Sequence, residues 1–240
     1  MDTLKFNRKN VKMIAHRGLS GIEKENTNSA FVAAGNRSYY GVETDVHVTA
    51  DGKFIIIHDE NTNRVGVDNV DVESTTFDTL RKIQLCDIDG KKGRSDLLLP
   101  ELCEYIAINK KYGKMCVLEL KNYMEPKYIA EIVEVIKKLE YLESVIFISF
   151  CLDNLLELRK LLPGQHAQFL IENEWRDEIY DVLKENRFDL DIDRVLITKE
   201  IIDRVHALGQ EVNCWTVNTA EEGEKLAEWG VDYITTNILE

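Results

Sequence analysis

The chain is poor in the residues that mark secreted or disordered proteins. Its 240 residues include three prolines and five cysteines, and no low-complexity tract occurs. This composition argues against disorder. The cysteines are odd in number and lack paired spacing, which argues against a disulfide framework, and Cys116 and Cys214 lie within apolar segments. Buried thiols and a reduced, cytoplasmic setting are therefore predicted.

Clusters of positive charge and long apolar stretches are also absent. Acidic residues outnumber basic ones by 43 to 30, which gives a formal net charge of -13. Nucleic acids and anionic membrane surfaces are bound through clustered Lys and Arg, so neither is expected as a partner. No segment approaches the roughly 20 apolar residues of a membrane span. Residues 1–12 contain no apolar stretch typical of a signal peptide.

Short apolar segments rich in β-branched residues alternate with amphipathic segments of helical period. The segment from Ile129 to Leu139, for example, repeats its apolar residues at helical spacing. Strand then helix, repeated eight times, predicts an α/β fold, the (β/α)8 TIM barrel, as a single domain over residues 1–240. The eight predicted strands are 11–15, 41–45, 115–120, 145–149, 167–171, 194–198, 211–217 and 232–236.

A hairpin is predicted to extend the second strand. Asp51-Gly52 between two apolar segments is a strong hairpin signal. A two-residue loop at these positions would place Asp45 directly opposite His58. The stretch that follows, at about 61–99, is then an insertion that forms a lid or small subdomain over the barrel.

Two carboxylates on this hairpin suggest a metal-assisted site. Glu43 and Asp45 are two residues apart on a strand, so they point to the same face and can share one ligand. The returning arm adds the imidazole of His58. The alternative, that the two acids face solvent on an edge hairpin, is disfavoured because Val42 and Val46 share the opposite face.

Other polar side chains suited to chemistry also follow predicted strands, at the face where barrel enzymes place their active sites. The alternatives to a site role are structural: an ion pair between residues 119 and 121 inside the barrel, and a tryptophan at 215 that packs in the core. The residues are His16 and Arg17 after strand one, Glu119 and Lys121 at the end of strand three, Lys199 past strand six and Trp215 near the end of strand seven.

Several short motifs follow one another along nearly the whole chain. They are Ala15-His16-Arg17-Gly18, Glu25-Asn26-Thr27, Glu43-Thr44-Asp45-Val46-His47, His58-Asp59 with Arg64, Leu118-Glu119-Leu120-Lys121, Trp215-Thr216-Val217 and Gly230-Val231-Asp232. Each string is weak alone, but in their order and spacing they resemble the glycerophosphodiester phosphodiesterase (GDPD) family.

Two positions depart from the family pattern. Lys24 stands where proline is more usual, and Asn237 stands where aspartate is common. Because asparagine keeps an acceptor and loses only the charge, we expect position 237 to affect the structure of the rim more than the chemistry. Glu25 and Asn26 either cap the helix that begins near Thr27 or join the site.

The resemblance implies metal-dependent hydrolysis of a small-molecule glycerophosphodiester to glycerol 3-phosphate and an alcohol. By analogy, Glu43, Asp45 and Glu119 hold one divalent cation. Carboxylate oxygens are hard ligands that suit either Ca²⁺ or Mg²⁺, and the sequence does not choose between them.

The same resemblance assigns the remaining groups. His16 and His58 act as general acid and base, in an order that the sequence leaves open. Arg17 and Lys121 bind the phosphate, and Trp215 is a wall of the substrate pocket. The nucleophile is either water or the glycerol 2-hydroxyl, which would give a cyclic phosphate first.

Two alternatives to this activity are retained. One is a lysophospholipase D that acts on lipids with one acyl chain, which needs an apolar groove. The other is a catalytically silent barrel that binds a phosphodiester, and retention of both histidines and all three carboxylates favours an enzyme over it. The alcohol head group and the oligomeric state are left open.

Overall fold

Eight parallel strands close into a barrel in the computed structural model, which describes residues 2–240. Their apolar, β-branched segments are buried on both faces, as parallel strands covered by helices require. The predicted TIM barrel is confirmed. The strands are β1 (Lys12–Ala15), β2 (Gly41–Val48), β3 (Phe54–Ile56), β4 (Met115–Leu120), β5 (Val145–Ser149), β6 (Ala167–Ile171), β7 (Asp189–Asp193), β8 (Val212–Trp215) and β9 (Tyr233–Thr236), of which β3 pairs only with β2 and is antiparallel to it.

Helices cover the outside of the barrel. The helix that follows β4 buries Ile129, Ile132, Val133 and Ile136, which confirms the predicted amphipathic segment. No helix among residues 2–240 combines the length and the apolar character that a membrane crossing requires. The helices are α1 (Asn28–Gly35), α2 (Phe77–Leu80), α3 (Leu102–Tyr112), α4 (Pro126–Lys138), α5 (Leu152–Leu161), α6 (Glu178–Asn186), α7 (Lys199–Ala207) and α8 (Ala220–Trp229), with a 3-10 helix at Leu142–Ser144.

The predicted strand at 194–198 is wrong. The strand is β7, and the following residues form the turn into α7, with Val195 69% exposed. In β7 acids alternate with apolar residues, and the acidic side faces the barrel interior, where Asp191 is only 2% exposed. Lys199 consequently begins α7 and pairs with Asp203 at 2.7 Å, away from any strand end.

The hairpin register differs by one residue from the prediction. The loop has three residues, with Gly52 at a φ of +72°, a left-handed conformation that glycine adopts without strain. The amide of Thr49 donates to the carbonyl of Lys53 at 2.8 Å and so closes this loop. Asp45 therefore pairs with Ile57, whose amide donates to its carbonyl at 3.1 Å, and the predicted direct pairing with His58 is wrong.

The stretch between β3 and α3 has a small apolar core of its own. It packs on the outer side of the hairpin and contains only one short helix, α2. Polar contacts then fix this stretch to the barrel, since Glu73 bonds the buried His47 at 2.9 Å and Arg94 pairs with Glu23 at 2.8 Å. The core residues are Ile55, Ile57, Val65, Val72, Leu80, Ile83, Leu85, Leu97 and Leu99.

Candidate active site

A cavity of about 380 Å³ opens at the carboxyl ends of the barrel strands. Apolar inward side chains such as Ile146 fill the barrel below it. The cavity brings together seven of the predicted site residues, and the eighth, Asp45, is buried directly beside them. The seven are His16, Arg17, Glu43, His58, Glu119, Lys121 and Trp215.

Three buried carboxylates converge at one side of this cavity. Glu43 and Asp45 lie on β2, and Glu119 lies on β4 in the position paired with Asp45. One oxygen from each lies within 4.8 Å of the others, and Asp45 Oδ1 has no hydrogen-bond partner. Burial and the charge of Asp45 raise the pKa of Glu119 to about 8, and the same two causes raise the pKa of Glu43 well above its usual range. Repulsion among these buried carboxylates therefore destabilises the cluster.

Two basic side chains partly offset this repulsion. The backbone amide of Arg17 donates to Glu43 Oε2 at 2.8 Å, and its Nε lies 3.7 Å from Asp45. Lys121 Nζ lies 2.8 Å from Glu119 and 3.6 Å from Asp45. Burial alone would raise the pKa of Asp45, but the charges of Arg17 and Lys121 outweigh it and hold that pKa well below its usual range.

His16 meets the cluster from the end of β1. Its Nε2 lies 4.0 Å from Glu43, and its Nδ1 lies 2.7 Å from Asn237 Oδ1. Because an amide oxygen only accepts hydrogen bonds, this contact assigns the proton to Nδ1 and leaves a lone pair on Nε2. Burial, with the nearby charge of Arg17, lowers the pKa of His16 to about 4. The expectation that Asn237 matters mainly to the rim misses this contact with a site imidazole.

His58 approaches from the mouth of the cavity with a different partner. Its Nδ1 lies 2.6 Å from Asp59 Oδ1, and Arg64 Nε donates to the other oxygen of Asp59 at 2.7 Å. Burial and the charge of Arg17 lower the pKa of His58, although the charge of Asp45 opposes them. The two imidazoles thus differ in their orienting groups, a neutral amide for one and a carboxylate for the other.

The segment before α1 supports the site and does not cap the helix. The cap is Thr27, whose side chain accepts from the amide of Ala30 at 3.2 Å. Asn26 Nδ2 donates to Asp45 at 2.7 Å, and Glu25 accepts from Arg17 at 2.9 Å. Of the two interpretations left open by the sequence, the structure favours a site role for Glu25 and Asn26.

The opposite wall of the cavity contains two acids that are not among the predicted site residues. Glu172 lines it one residue after β6, and Asp191 lines it from β7. Asp191 Oδ1 has no hydrogen-bond partner, and burial raises the pKa of this carboxyl to about 8. Phe150 meets Trp215 edge to face on the same wall, with ring centroids 5.7 Å apart. The signal for Asp191 was the period-two alternation of acids in β7.

A TIM barrel with acids, imidazoles and basic groups at the carboxyl ends of its strands has the layout of a barrel-enzyme active site. A model of the glycerophosphoryl diester phosphodiesterase family matches residues 16–240. The chain belongs to this family, as the resemblance of its motifs predicted.

Curated relatives and solved structures agree with this membership. Glycerophosphodiester phosphodiesterases of Bacillus altitudinis and Caldanaerobacter subterraneus subsp. tengcongensis are 28% and 27% identical, over 95% and 94% of this chain and 94% and 93% of theirs. A phosphodiesterase from Oleispira antarctica, solved in complex with the product sn-glycerol-3-phosphate, superposes with a TM-score of 0.84 at 25% identity. That alignment covers 98% of this chain and 96% of the Oleispira chain.

Proposed function

We propose that this protein hydrolyses water-soluble glycerophosphodiesters to glycerol 3-phosphate and an alcohol, with a divalent cation as cofactor. The observation that carries the proposal is the meeting of two imidazoles, three carboxylates and two basic side chains in one cavity. Phosphodiester cleavage needs charge neutralisation, a deprotonated nucleophile and a protonated leaving group, and this set contains a group for each need. The cytoplasmic setting predicted from the cysteines remains part of the proposal.

The carboxylate cluster supports a cation site. Glu43, Asp45 and Glu119 each bring one oxygen within 4.8 Å of the others, and the unpartnered Asp45 Oδ1 is a buried acceptor that requires a partner. These hard oxygen donors fit Ca²⁺ or Mg²⁺. When bound there, the cation would offset two of the three carboxylate charges and provide a Lewis acid for substrate oxygens.

The remaining side chains bind the substrate and move protons. Arg17 and Lys121 present a guanidinium and an ammonium beside the cluster, which suits the non-bridging oxygens of a phosphate. His16 and His58 both line the cavity, so one can take the proton of the attacking water or hydroxyl while the other protonates the departing alkoxide. Asn237 and Asp59 hold the two rings in orientation.

The lysophospholipase D alternative rests on the apolar part of the cavity. Ile148, Phe150 and Leu170 line the wall opposite the carboxylates, and an acyl chain would need such a surface. The soluble substrate is preferred because the polar groups suit the phosphate and hydroxyls that a glycerophosphodiester offers without an acyl chain. A silent binding barrel would not need two imidazoles in one cavity.

The test is release of glycerol phosphate from glycerophosphocholine by the purified protein. Turnover should vanish with chelator, return when Ca²⁺ or Mg²⁺ is added back separately, and be lost in His16→Ala. No turnover from folded protein with either ion would contradict the proposal, and lysophosphatidylcholine is then the substrate to try. Failure on both substrates would favour the silent barrel.

A further inference from the structure

The cavity divides into two walls of opposite chemistry. The wall built from β1, the hairpin and β4 supplies all its basic and imidazole groups. The wall built from β5 to β8 supplies aromatic and aliphatic side chains and two carboxylates, with no basic residue among those that line it. The first wall contributes His16, Arg17, Glu43, His58, Glu119 and Lys121, and the second contributes Ile148, Phe150, Leu170, Glu172, Asp191 and Trp215.

A substrate that spans the cavity must place unlike ends against these walls. The hydroxyls of glycerol and the phosphate oxygens match the first wall, which offers charged donors and oxygen ligands for a cation. The other alcohol of the diester then lies against the second wall. Its chemistry should therefore complement rings and carboxylates.

Glu172 is the exposed carboxylate of the second wall. Side chains alternate along a strand, so the inward face of β6 continues from Gln168 through Leu170 to Glu172 at the cavity. No side chain among residues 2–240 forms an ion pair with Glu172, whereas the nearby Glu174 pairs with Arg176 at 2.6 Å. The negative charge of Glu172 is therefore available to a ligand.

Asp191 supplies a second, independent indication of a ligand. Its side chain is 2% exposed, it lines the cavity, and its Oδ1 has no hydrogen-bond partner. An unpartnered buried carboxyl is costly, and a ligand with N–H donors or positive charge would offset that cost. Trp215 Nε1 is likewise buried without a partner on the same wall.

The aromatic pair completes the surface. Phe150 and Trp215 meet at 84° with centroids 5.7 Å apart, so their faces and edges form a corner rather than a flat stack. Phe150 also marks the boundary between the two walls, because Lys121 Nζ lies 6.0 Å from its ring centroid. Aromatic faces beside carboxylates are the surface that binds ammonium groups.

We propose that Phe150, Glu172, Asp191 and Trp215 form a head-group subsite that selects glycerophosphodiesters with a cationic alcohol, a primary amine or a quaternary ammonium, over those with a neutral polyol. This inference rests on the proposed glycerophosphodiesterase function and specifies its substrate class. Glu172 supplies the attraction at the cavity mouth, the rings contact the alkyl ammonium surface, and Asp191 Oδ1 accepts from an N–H when the head group is a primary amine.

The experiment compares four substrates at one metal concentration and low salt: glycerophosphocholine, glycerophosphoethanolamine, glycerophosphoglycerol and glycerophosphoinositol. We expect kcat/KM to favour the two cationic substrates by about tenfold, the combined effect of a cation–π contact and a partly exposed ion pair. The difference should lie mainly in KM, and it should shrink as the salt concentration rises.

Two matched variants test whether the substrate preference depends on Glu172. Glu172→Gln should lower kcat/KM for the two cationic substrates far more than for glycerophosphoglycerol and so remove most of the preference, whereas Glu174→Gln, a paired carboxylate two residues away, should leave the preference as it is. Equal turnover of all four substrates by the wild-type protein would overturn the subsite alone. An equal loss on all four in Glu172→Gln would also overturn it.

A binding measurement tests the subsite independently of the proposed reaction. Calorimetric titration of the His16→Ala variant with glycerophosphocholine and glycerophosphoglycerol reports affinity without turnover. If no substrate is hydrolysed by the wild-type protein, the proposed reaction fails, and the subsite is still supported by tighter binding of glycerophosphocholine or overturned by equal binding.

Discussion

The two ends of the barrel carry similar clusters of ionisable residues, but the clusters differ in whether their polar groups have partners within the protein. At the amino ends of the strands, His166, Asp189 and Glu211 bring three possible ligand atoms within 4.8 Å, as the carboxylates do at the other end. His166 lies 2.5 Å from Asp189, Lys12 lies 3.1 Å from Glu211, and Tyr233 donates to Glu211 at 2.5 Å. Each member of this lower cluster has a partner within the protein.

The upper cluster, Glu43, Asp45 and Glu119 at the carboxyl ends of the strands, has polar groups without such partners. Asp45 Oδ1 and Arg17 Nε are buried without hydrogen-bond partners, and two of the carboxylates have raised pKa values. Acids beside an imidazole therefore do not define an active site, since the lower cluster has them too. The two clusters differ in the buried polar groups that lack partners at the upper one, which is the candidate site.

Removal of an imidazole should give the largest difference in kcat between variants at the two ends of the barrel. His58→Ala is expected to lower kcat by about 10²- to 10⁴-fold, because a general acid or base is lost. His166→Ala, at the lower cluster, should leave kcat within about twofold, since this residue lies at the opposite end of the barrel from the cavity. Steady-state rates on glycerophosphocholine check both variants. A comparable loss of kcat in His166→Ala would contradict the distinction.

The second-largest effect is expected on metal affinity, which a substitution in the upper cluster should lower and one in the lower cluster should not. Glu119→Gln is expected to weaken binding of the activating cation by at least about 100-fold, since loss of outer partners alone costs 10–100-fold. Glu211→Gln should have no effect. The affinity of the wild-type protein should rise as pH increases toward 8, because the pKa of Glu119 is raised to about 8 by burial and by Asp45. The cation must displace that proton.

Calorimetry in buffers of different ionisation enthalpy measures this proton release. Release at pH 7 that disappears above pH 9 is the expected result. A pH-independent affinity over this range, or equal weakening in Glu211→Gln, would show that the upper carboxylates are not the ligands.

The smallest effect concerns two acids of one strand. Asp189 is paired with His166, whereas Asp191 is buried with an oxygen unpartnered and a pKa of about 8, against about 3.8 in the unfolded chain. The stability that Asp191 contributes is present below pH 4 and is lost as pH rises to 8. Asp191→Asn should therefore stabilise the protein at pH 8, by on the order of a few kcal/mol at most, and leave it unchanged near pH 4.

Thermal melts at the two pH values test this expectation. Asp189→Asn is the matched variant and should lower stability slightly, by under about 1 kcal/mol, because its ion pair is partly exposed. Identical pH dependence in the wild-type protein and Asp191→Asn would show that this carboxyl is not destabilising.

The barrel could be predicted from sequence because most of its strands are apolar segments between amphipathic helices. The exception was β7, whose inward acids made it look exposed while Val195 beyond it looked like a strand residue. Single-sequence periodicity does not tell which side of a strand faces solvent. That depends on closure of the barrel, which only the whole set of strands determines.

Most of the residues that meet in the cavity could be selected from the sequence, whereas their geometry could not. The motifs identified His16 and the carboxylate residues as candidates. The contact of Asn237 with His16, in contrast, joins positions 221 residues apart. The hairpin register depended on whether the loop holds two residues or three, a choice made by the left-handed Gly52. Contacts of this kind arise from tertiary structure and leave no local pattern.

The separate apolar core between β3 and α3 has a consequence for how the protein loses activity. His58 and Asp59 follow directly on Ile57, a member of that core, whereas the carboxylates of β2 and β4 belong to the barrel. A small core opens at a lower free energy than a closed barrel. Heat should therefore inactivate the protein by releasing one imidazole while the barrel remains folded, and cooling should restore activity without refolding of the whole chain.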